Sequence, residues 1–222
     1  MKGKFESVIR DSKVETVLQG LLEIAEVQER DLHDEHKGKL DFSKMNWGPG
    51  LFPNILIPIS AQQGDLLYLL ARAICAKTIV EFGTSFGVST IYCAAAIRYN
   101  GNGGKVIGTE FVPGKVQEAK KNLEAAGLLQ YVEIWEGDAR QTLKRLPDSI
   151  DLCLMDGFPP YAFEVFKLIA PHMRKGGIVI TDGIEMLKDA MGDYLEYLRD
   201  PANGFRTVSL PIGDGTEISI KE

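Results

Sequence analysis

The sequence has little positive charge, few cysteines and histidines, and no long apolar run. Its 31 acidic residues outnumber its 25 lysines and arginines, which gives a formal net charge of −6. Proteins that bind the nucleic-acid backbone normally display a basic face, so a nucleic-acid partner is disfavoured. No apolar run reaches the roughly 18 residues that span a bilayer, and the first residues contain no signal-peptide core. We therefore expect a cytoplasmic protein with no membrane partner.

The three cysteines, Cys75, Cys93 and Cys153, are odd in number and lack the spacing of metal ligands. Each lies in an apolar run, which predicts reduced thiols packed in the core. His33 and His36 occur in a charged stretch that predicts a solvated helix end rather than a metal site.

Length and composition favour a single globular domain, since 222 residues with 45% hydrophobic and 25% charged content are ordinary for one. We divide the chain into an N-terminal addition, residues 1–58, and a core, residues 59–222. Apolar residues at helical spacing predict a helix over about 12–31. The aromatic loop 38–58, with Trp47 to Phe52 at its centre, is predicted to be either a pocket wall that orders on ligand binding or a packed connector.

The core is organised around residues 77–98, which predict a strand, a glycine-containing turn and a helix. Gly83 and Gly87 allow a tight turn and close approach of a ligand to the backbone. Free N–H groups at the start of the following helix attract an anionic group. The nicotinamide-cofactor fingerprint requires glycine at three positions of this turn, but Ser85 and Val88 stand at two of them. The turn therefore predicts a ligand site of another type.

Further strands follow this turn at regular intervals. They are predicted over 104–110, 131–139, 150–157 and 176–183, and the last 18 residues predict a hairpin around a Gly-Asp-Gly turn. The alternation of strands with helices predicts a doubly wound, Rossmann-like α/β fold. Its mostly parallel, seven-stranded sheet would carry a C-terminal antiparallel hairpin, with the N-terminal helix as an addition.

Helices between these strands are predicted from apolar residues at helical spacing. One begins at Ser60, where Gln63 completes a capping-box pattern. The others run through 116–126, through Val165 to Met173 and through Leu187 to Leu198, with a short helix near 143–146.

Acidic residues occur at the ends of four predicted strands: Glu110, Asp138, Asp156 and Asp182. The carboxyl ends of parallel strands meet at the crevice where ligands bind in such sheets. Glu110 lies about 27 residues after Gly83, where a carboxylate accepts hydrogen bonds from both ribose hydroxyls. The pattern thus predicts a nucleoside site bordered by further acids.

The turn sequence EFGTSFGVST resembles the first motif of class I S-adenosylmethionine (SAM) methyltransferases, most closely the catechol and caffeoyl-CoA O-methyltransferase-like family. The preceding helix, within ISAQQGDLLYLLARAICAKTIVEFGT, is similar to the same family. The resemblance implies that Ser89 holds the methionine carboxylate, that Phe111 stacks on adenine, and that Asp138 or Ala139 contacts the adenine edge. The full set of implied SAM contacts is Glu81, Gly83, Thr84, Ser85, Gly87, Ser89, Glu110, Phe111, Asp138, Ala139 and Asp156.

Metal-dependent members of this family hold a divalent cation with an acid after the fourth strand and an Asp-Asn pair after the fifth. Asp156 and Asp182 match the acids, but Gly183 replaces the Asn, and DGFPPY lacks the family's lysine. Two alternatives remain open. Either Asp156 and Asp182 hold Mg²⁺ weakly, with Glu185 as a spare ligand and a millimolar requirement, or the metal is absent and Asp156 is the catalytic base.

The resemblance implies an enzyme that transfers a methyl group from SAM to a hydroxyl of a small, aromatic acceptor. Methylation of a tRNA nucleoside hydroxyl is an alternative that the acidic balance disfavours. The alternative that is not an enzyme is a SAM-binding protein without catalysis. The altered metal residues favour this alternative. The resemblance also admits a homodimer.

Overall fold

The computed structural model describes residues 7–36, 48 and 51–222, with no side-chain detail for 33–36. The predicted loop residues 38–47 therefore lie outside the described residues, as do the side chains of His33 and His36. The helices are α1 (Ser12–His36), α2 (Ala61–Ala73), α3 (Val88–Asn100), α4 (Pro113–Ala125), α5 (Ala139–Thr142), α6 (Ala162–Ile169) and α7 (Gly192–Arg199). The strands are β1 (Thr78–Phe82), β2 (Lys105–Glu110), β3 (Val132–Glu136), β4 (Ile150–Met155), β5 (Met173–Asp182), β6 (Phe205–Leu210) and β7 (Thr216–Lys221).

The seven strands form one sheet in the order β3-β2-β1-β4-β5-β7-β6. The first five in this order are parallel, whereas β7 runs antiparallel to both β5 and β6. The predicted doubly wound sheet with its C-terminal hairpin is confirmed. The strand order reverses between β1 and β4, so the crevice of the sheet opens where these two strands end.

Alternating side chains of the central strands feed two hydrophobic clusters. In β4, Leu152 and Leu154 join the cluster that contains residues of α1, α2 and α3, while Cys153 and Met155 join the cluster with α6 and α7. This is the two-residue period of a strand covered by helices on both faces. None of the described helices is both long and apolar enough to cross a membrane.

Three local predictions need correction. The helix expected to reach Met173 ends at Ile169, because Pro171 removes a backbone donor, and Met173 begins β5 instead. The last helix begins at Gly192, and Leu187 belongs to a preceding series of turns. Helix α1 extends to residue 36, five residues beyond its predicted end.

Cys75 is exposed rather than packed in the core, whereas Cys93 and Cys153 are buried as predicted. The residue lies just past α2 with φ of 50°. Its N–H donates to the carbonyl of Arg72, which closes the helix end with a left-handed turn. The apolar run gave no sign of this turn, which directs the thiol outward.

The contact between α2 and α3 predicts opposite effects for two helical glycines. A methyl group at Gly64 would overlap the ring of Tyr92, which is fully buried. Overpacking of this kind costs about 1–3 kcal/mol, which exceeds the gain of about 1 kcal/mol in helix propensity. Gly20, in α1, has no described atom within 4 Å of the same position.

We expect Gly64→Ala to lower the free energy of unfolding by about 1–2 kcal/mol and Gly20→Ala to raise it by about 0.5–1 kcal/mol. Chemical denaturation of both variants beside the parent protein measures the two changes. A stabilised Gly64→Ala protein would contradict the close packing of α2 on α3.

Candidate functional site

A cavity of about 1050 Å³ lies at the carboxyl ends of the parallel strands. Its walls come from the loops after β1, β2, β3, β4 and β5, from α1 and α2, and from the segment 51–59. The space exceeds what one drug-sized ligand fills, so it suits a ligand pair. Of the residues predicted from the sequence, those that line it are Gly83, Ser85, Glu110, Phe111, Asp138, Ala139, Asp156 and Asp182.

The glycine turn places the backbone of residue 83 directly against the end of β4. Gly83 has φ of 99°, and any side chain there would overlap the carbonyl of Asp156. Ser85 also adopts a positive φ, of 48°, and its hydroxyl oxygen is buried without a partner among the described atoms. A buried, unpaired hydroxyl at a cavity wall indicates a hydrogen bond to a ligand.

Glu110 faces this turn from the end of β2. Its Oε2 accepts from the N–H of Ser85 at 2.8 Å, and its Oε1 accepts from the N–H of Val112 at 2.8 Å. The side chain is 9% exposed and lines the cavity. Each carboxylate oxygen has a second lone pair, so the carboxylate can still accept two ligand hydroxyls.

Glu81, Thr84 and Ser89 lie behind the cavity wall and do not line the cavity. The carboxyl of Glu81 is 0% exposed and accepts from the hydroxyls of Thr84, Ser89 and Thr90 at 2.5–2.7 Å. Burial raises the pKa of Glu81, and the three hydroxyl donors oppose that shift. The network fixes the turn from behind, with the Ser89 hydroxyl donating to Glu81, and the role of Ser89 at a ligand carboxylate stays a prediction.

Gly87 also stands back from the cavity, since it forms the N-terminal cap of α3 with φ of 90°. Its N–H donates to the carbonyl of Thr84 at 2.8 Å, which closes the turn. Four of the predicted contacts, Glu81, Thr84, Gly87 and Ser89, thus shape the turn rather than its open surface.

Asp138 caps α5 and is paired with its own neighbour. Its Oδ1 accepts from the N–H of Arg140 at 2.9 Å, and its Oδ2 pairs with the Arg140 guanidinium at 2.7 Å. Hydrogen bonds from this guanidinium are the main cause that holds the pKa of Asp138 below its usual value. Arg140 also stacks over the ring of Tyr161, 4.0 Å from its centroid. The carboxylate is therefore oriented and kept ionised by Arg140.

Asp156 and Asp182 meet across the end of the neighbouring strands β4 and β5, as the sequence predicted. Each carboxyl influences the pKa of the other. Burial, and then the charge of Asp182, holds the pKa of Asp156 well above its usual range. Burial also raises the pKa of Asp182, against the hydrogen bond from Gln63. Burial and neighbouring negative charge thus disfavour the ionisation of both carboxyls at once.

Gln63 joins this pair to the start of α2. The predicted capping box is confirmed, since Ser60 and Gln63 exchange side-chain to backbone hydrogen bonds. The N–H of Ser60 donates to Oε1 of Gln63 at 2.8 Å, which leaves the amide nitrogen on the opposite side. That nitrogen donates to Oδ1 of Asp182 and to the hydroxyl of Thr216, the latter at 2.9 Å.

These residues do not fit the family's divalent cation. Oδ1 of Asp182 already accepts from the Gln63 amide, and the N–H of Gly183 also helps to hold down the pKa of this carboxyl, so Asp182 faces donors. Glu185, expected as a spare ligand, is exposed and outside the cavity wall. Among the side chains that the structure describes, those of residues 7–32, 48 and 51–222, no three His, Cys, Asp or Glu groups cluster as a metal site. The predicted Mg²⁺ site is therefore not supported.

Comparison with known proteins agrees with this geometry. Residues 80–184 match the family model described as a methyltransferase domain. The chain is 34% identical over 132 residues to a catechol O-methyltransferase of Niastella koreensis, covering 58% of each protein. It is 35% identical over 129 residues to a catechol O-methyltransferase of Mycobacterium tuberculosis, covering 58% of this chain and 57% of that one.

The chain therefore spans somewhat more than half the length of these curated relatives. Over its whole fold it is similar to the O-methyltransferase from Bacillus cereus in complex with SAH, with a TM-score of 0.70 and 21% identity over 97% of this chain and 93% of that one. It is also similar to the O-methyltransferase TomG from Streptomyces achromogenes in complex with SAM, with a TM-score of 0.68 and 22% identity over 96% and 91%. The fold is that of these methyltransferases, and the resemblance seen in the sequence is confirmed.

The methyltransferase domain match begins in β1 and ends just after β5, so it contains Gly83, Glu110, Asp156 and Asp182. Other cavity residues lie outside that segment, and sequence reasoning missed them as site residues. Gln63 was visible only as a capping residue, and Asp214 only as part of a Gly-Asp-Gly turn. Lys115, within the matched segment, is a buried lysine that lines the cavity near Glu110. Its position five residues after Glu110 was the only sequence signal that could have identified it as a site residue.

Proposed function

We propose that this protein is a SAM-dependent O-methyltransferase (EC 2.1.1.-) that acts on a small, aromatic, hydroxylated acceptor. The observation that carries the proposal is one cavity with a glycine turn and Glu110 at one part of its wall and the half-buried Asp156 and Asp182 at another. The family match and the O-methyltransferase relatives support the same reaction.

The glycine-turn side of the cavity suits the nucleoside of SAM. Glu110 offers its carboxylate to the two ribose hydroxyls while the Ser85 and Val112 N–H groups hold it in place. The unpaired hydroxyl of Ser85 adds a further hydrogen-bonding group, and Phe111 lines the wall as an apolar surface for adenine. These groups exist before the ligand arrives, so binding costs little ordering.

The carboxyl pair suits the acceptor hydroxyl. When bound, SAM supplies a methyl group on a positively charged sulfur. The acceptor oxygen forms a bond to that methyl carbon, the carbon–sulfur bond breaks, and its electrons stay on sulfur. The hydroxyl proton passes to the carboxylate of Asp156, whose raised pKa favours proton uptake. Asp156 is then the catalytic residue together with its partner.

The remaining wall is largely apolar and matches an aromatic acceptor. It is supplied by Leu22 of α1, by Phe52 and Ile55 of the following segment, and by Met186 and Leu187 after β5. Side chains of this type enclose a flat apolar ring and exclude water from the reacting atoms. The excess of 31 acidic residues over 25 lysines and arginines disfavours the tRNA alternative. Cytoplasmic location and a homodimer stay as predictions from the sequence.

Methyl transfer from labelled SAM to a panel of phenols and catechols tests the proposal, with calorimetric SAM titration run in parallel. We expect SAM binding and at least one labelled product. SAM binding without any product across the panel would favour the non-catalytic alternative. Absence of SAM binding would exclude both.

A further inference from the structure

Asp156 and Asp182 end neighbouring strands at the cavity wall, and two carboxylates so placed repel unless a positive or hydrogen-bonding group lies between or beside them. In the related metal-dependent enzymes a cation serves this need, but the residues here do not fit one. We infer that Gln63 is a positioning residue whose amide takes the place of the cation at Asp182, so that methyl transfer proceeds without a metal. The inference rests on the proposed function for its catalytic part only.

The direction of the Gln63 amide is fixed by the protein. Its oxygen accepts the N–H of Ser60, so the nitrogen must face Asp182 and Thr216. Both amide hydrogens have acceptors, since Thr216 in turn donates its own hydroxyl hydrogen to the carbonyl of Ile212. A flipped amide would set its oxygen against a carboxylate and its nitrogen against a donor.

Packing also holds Gln63 in this position. Gln63 is only 6% exposed. The turn of the β6–β7 hairpin passes so close that a side chain at Gly213 would overlap the Gln63 amide. The amide thus links three distant elements: the start of α2, the end of β5 and the β6–β7 hairpin. A cation at Asp182 would have to displace a donor that is bonded on every side.

The consequence for the reaction follows from these contacts. Gln63 holds one oxygen of Asp182, and Asp156 lines the same cavity from the end of the neighbouring strand. The pair is therefore fixed in one orientation at the cavity wall, which is what proton transfer from a bound hydroxyl requires. Because Gln63 acts through Asp182, its loss should affect turnover more than cofactor binding.

Electron paramagnetic resonance with Mn²⁺ tests the cation part without depending on activity. We expect no Mn²⁺ to bind the parent protein at Asp182. In the spectra, the parent and Asp182→Asn should therefore show the same amount of bound Mn²⁺. Gln63→Glu replaces the amide donor with a third carboxylate. This variant should bind Mn²⁺ at least about tenfold more tightly than the parent protein does. Gln117→Glu adds the same charge on the exposed face of α4 and serves as the control. Mn²⁺ binding in the parent that Asp182→Asn removes, or equal binding by both Glu variants, would overturn the inference.

Kinetics test the positioning part. In Gln63→Leu, which keeps the bulk and removes the amide, we expect kcat to fall roughly 10- to 100-fold. The Kd for SAM should stay within about twofold, since the nucleoside contacts lie elsewhere. A merely structural role would lower the melting temperature and leave kcat per folded molecule unchanged. Parent activity abolished by excess chelator, or unchanged kcat in folded Gln63→Leu, would overturn the inference. A parent protein with no methyl transfer would refute the proposed function, while the Mn²⁺ result would still stand.

Discussion

Asp156→Asn is expected to reduce kcat by roughly 10²- to 10⁴-fold, which is the usual contribution of a general base. The SAM dissociation constant should change far less, because Asp156 stands with Asp182 at the ends of β4 and β5 and not beside Glu110. An Asn side chain has the same shape and can still donate to Asp182, so the fold should persist. It cannot accept a proton from the acceptor.

The pH dependence of the parent enzyme's activity should also reflect the ionisation of Asp156 and Asp182. Burial raises the pKa of both Asp156 and Asp182, and the nearby charges of Glu81 and Asp214 act in the same direction. Activity should therefore rise with pH through a range above that of an ordinary aspartate, as the carboxyl that accepts the proton becomes ionised. Asp189→Asn, at an exposed acid, is the control. Undiminished kcat in Asp156→Asn would exclude the pair as the base.

Glu110→Ala is expected to weaken SAM binding by about 2–4 kcal/mol, or roughly 30- to 800-fold in Kd. The substitution removes two charge-assisted hydrogen bonds to the ribose. It also frees the Ser85 N–H, which Glu110 holds at 2.8 Å, and so loosens the glycine turn. Isothermal titration calorimetry with SAM measures the loss.

Glu136→Ala provides the matched control for Glu110. Glu136 pairs with Glu110 in register at the end of the adjacent strand β3, yet it is exposed and lies outside the cavity wall. Its removal should leave SAM affinity unchanged within about twofold. Equal SAM affinity for Glu110→Ala and the parent protein would contradict the assigned cofactor site.

Local sequence patterns were sufficient for most of the fold. The nearly continuous apolar run of β4 predicted a strand covered on both faces, and all six of its residues are buried. Ser60 and Gln63, three residues apart, predicted the start of a helix, because a capping box is a contact between residues close in sequence. Cys75 shows the limit, since an apolar run does not reveal a left-handed turn that exposes one of its members.

The strand-end acids mark the boundary between what sequence and tertiary structure determine. Parallel strands bring their carboxyl ends to one edge, so the sequence alone placed Glu110, Asp156 and Asp182 around one crevice. It could not show that Ser89 bonds to Glu81 behind the cavity wall, because the rotation of a helix relative to a strand depends on packing throughout the core. Nor could it show that Gln63 meets Asp182, 119 residues away. Hydrophobic periodicity determines which face of an element is buried, whereas the order of the strands and their crossovers decide which donor reaches which acceptor.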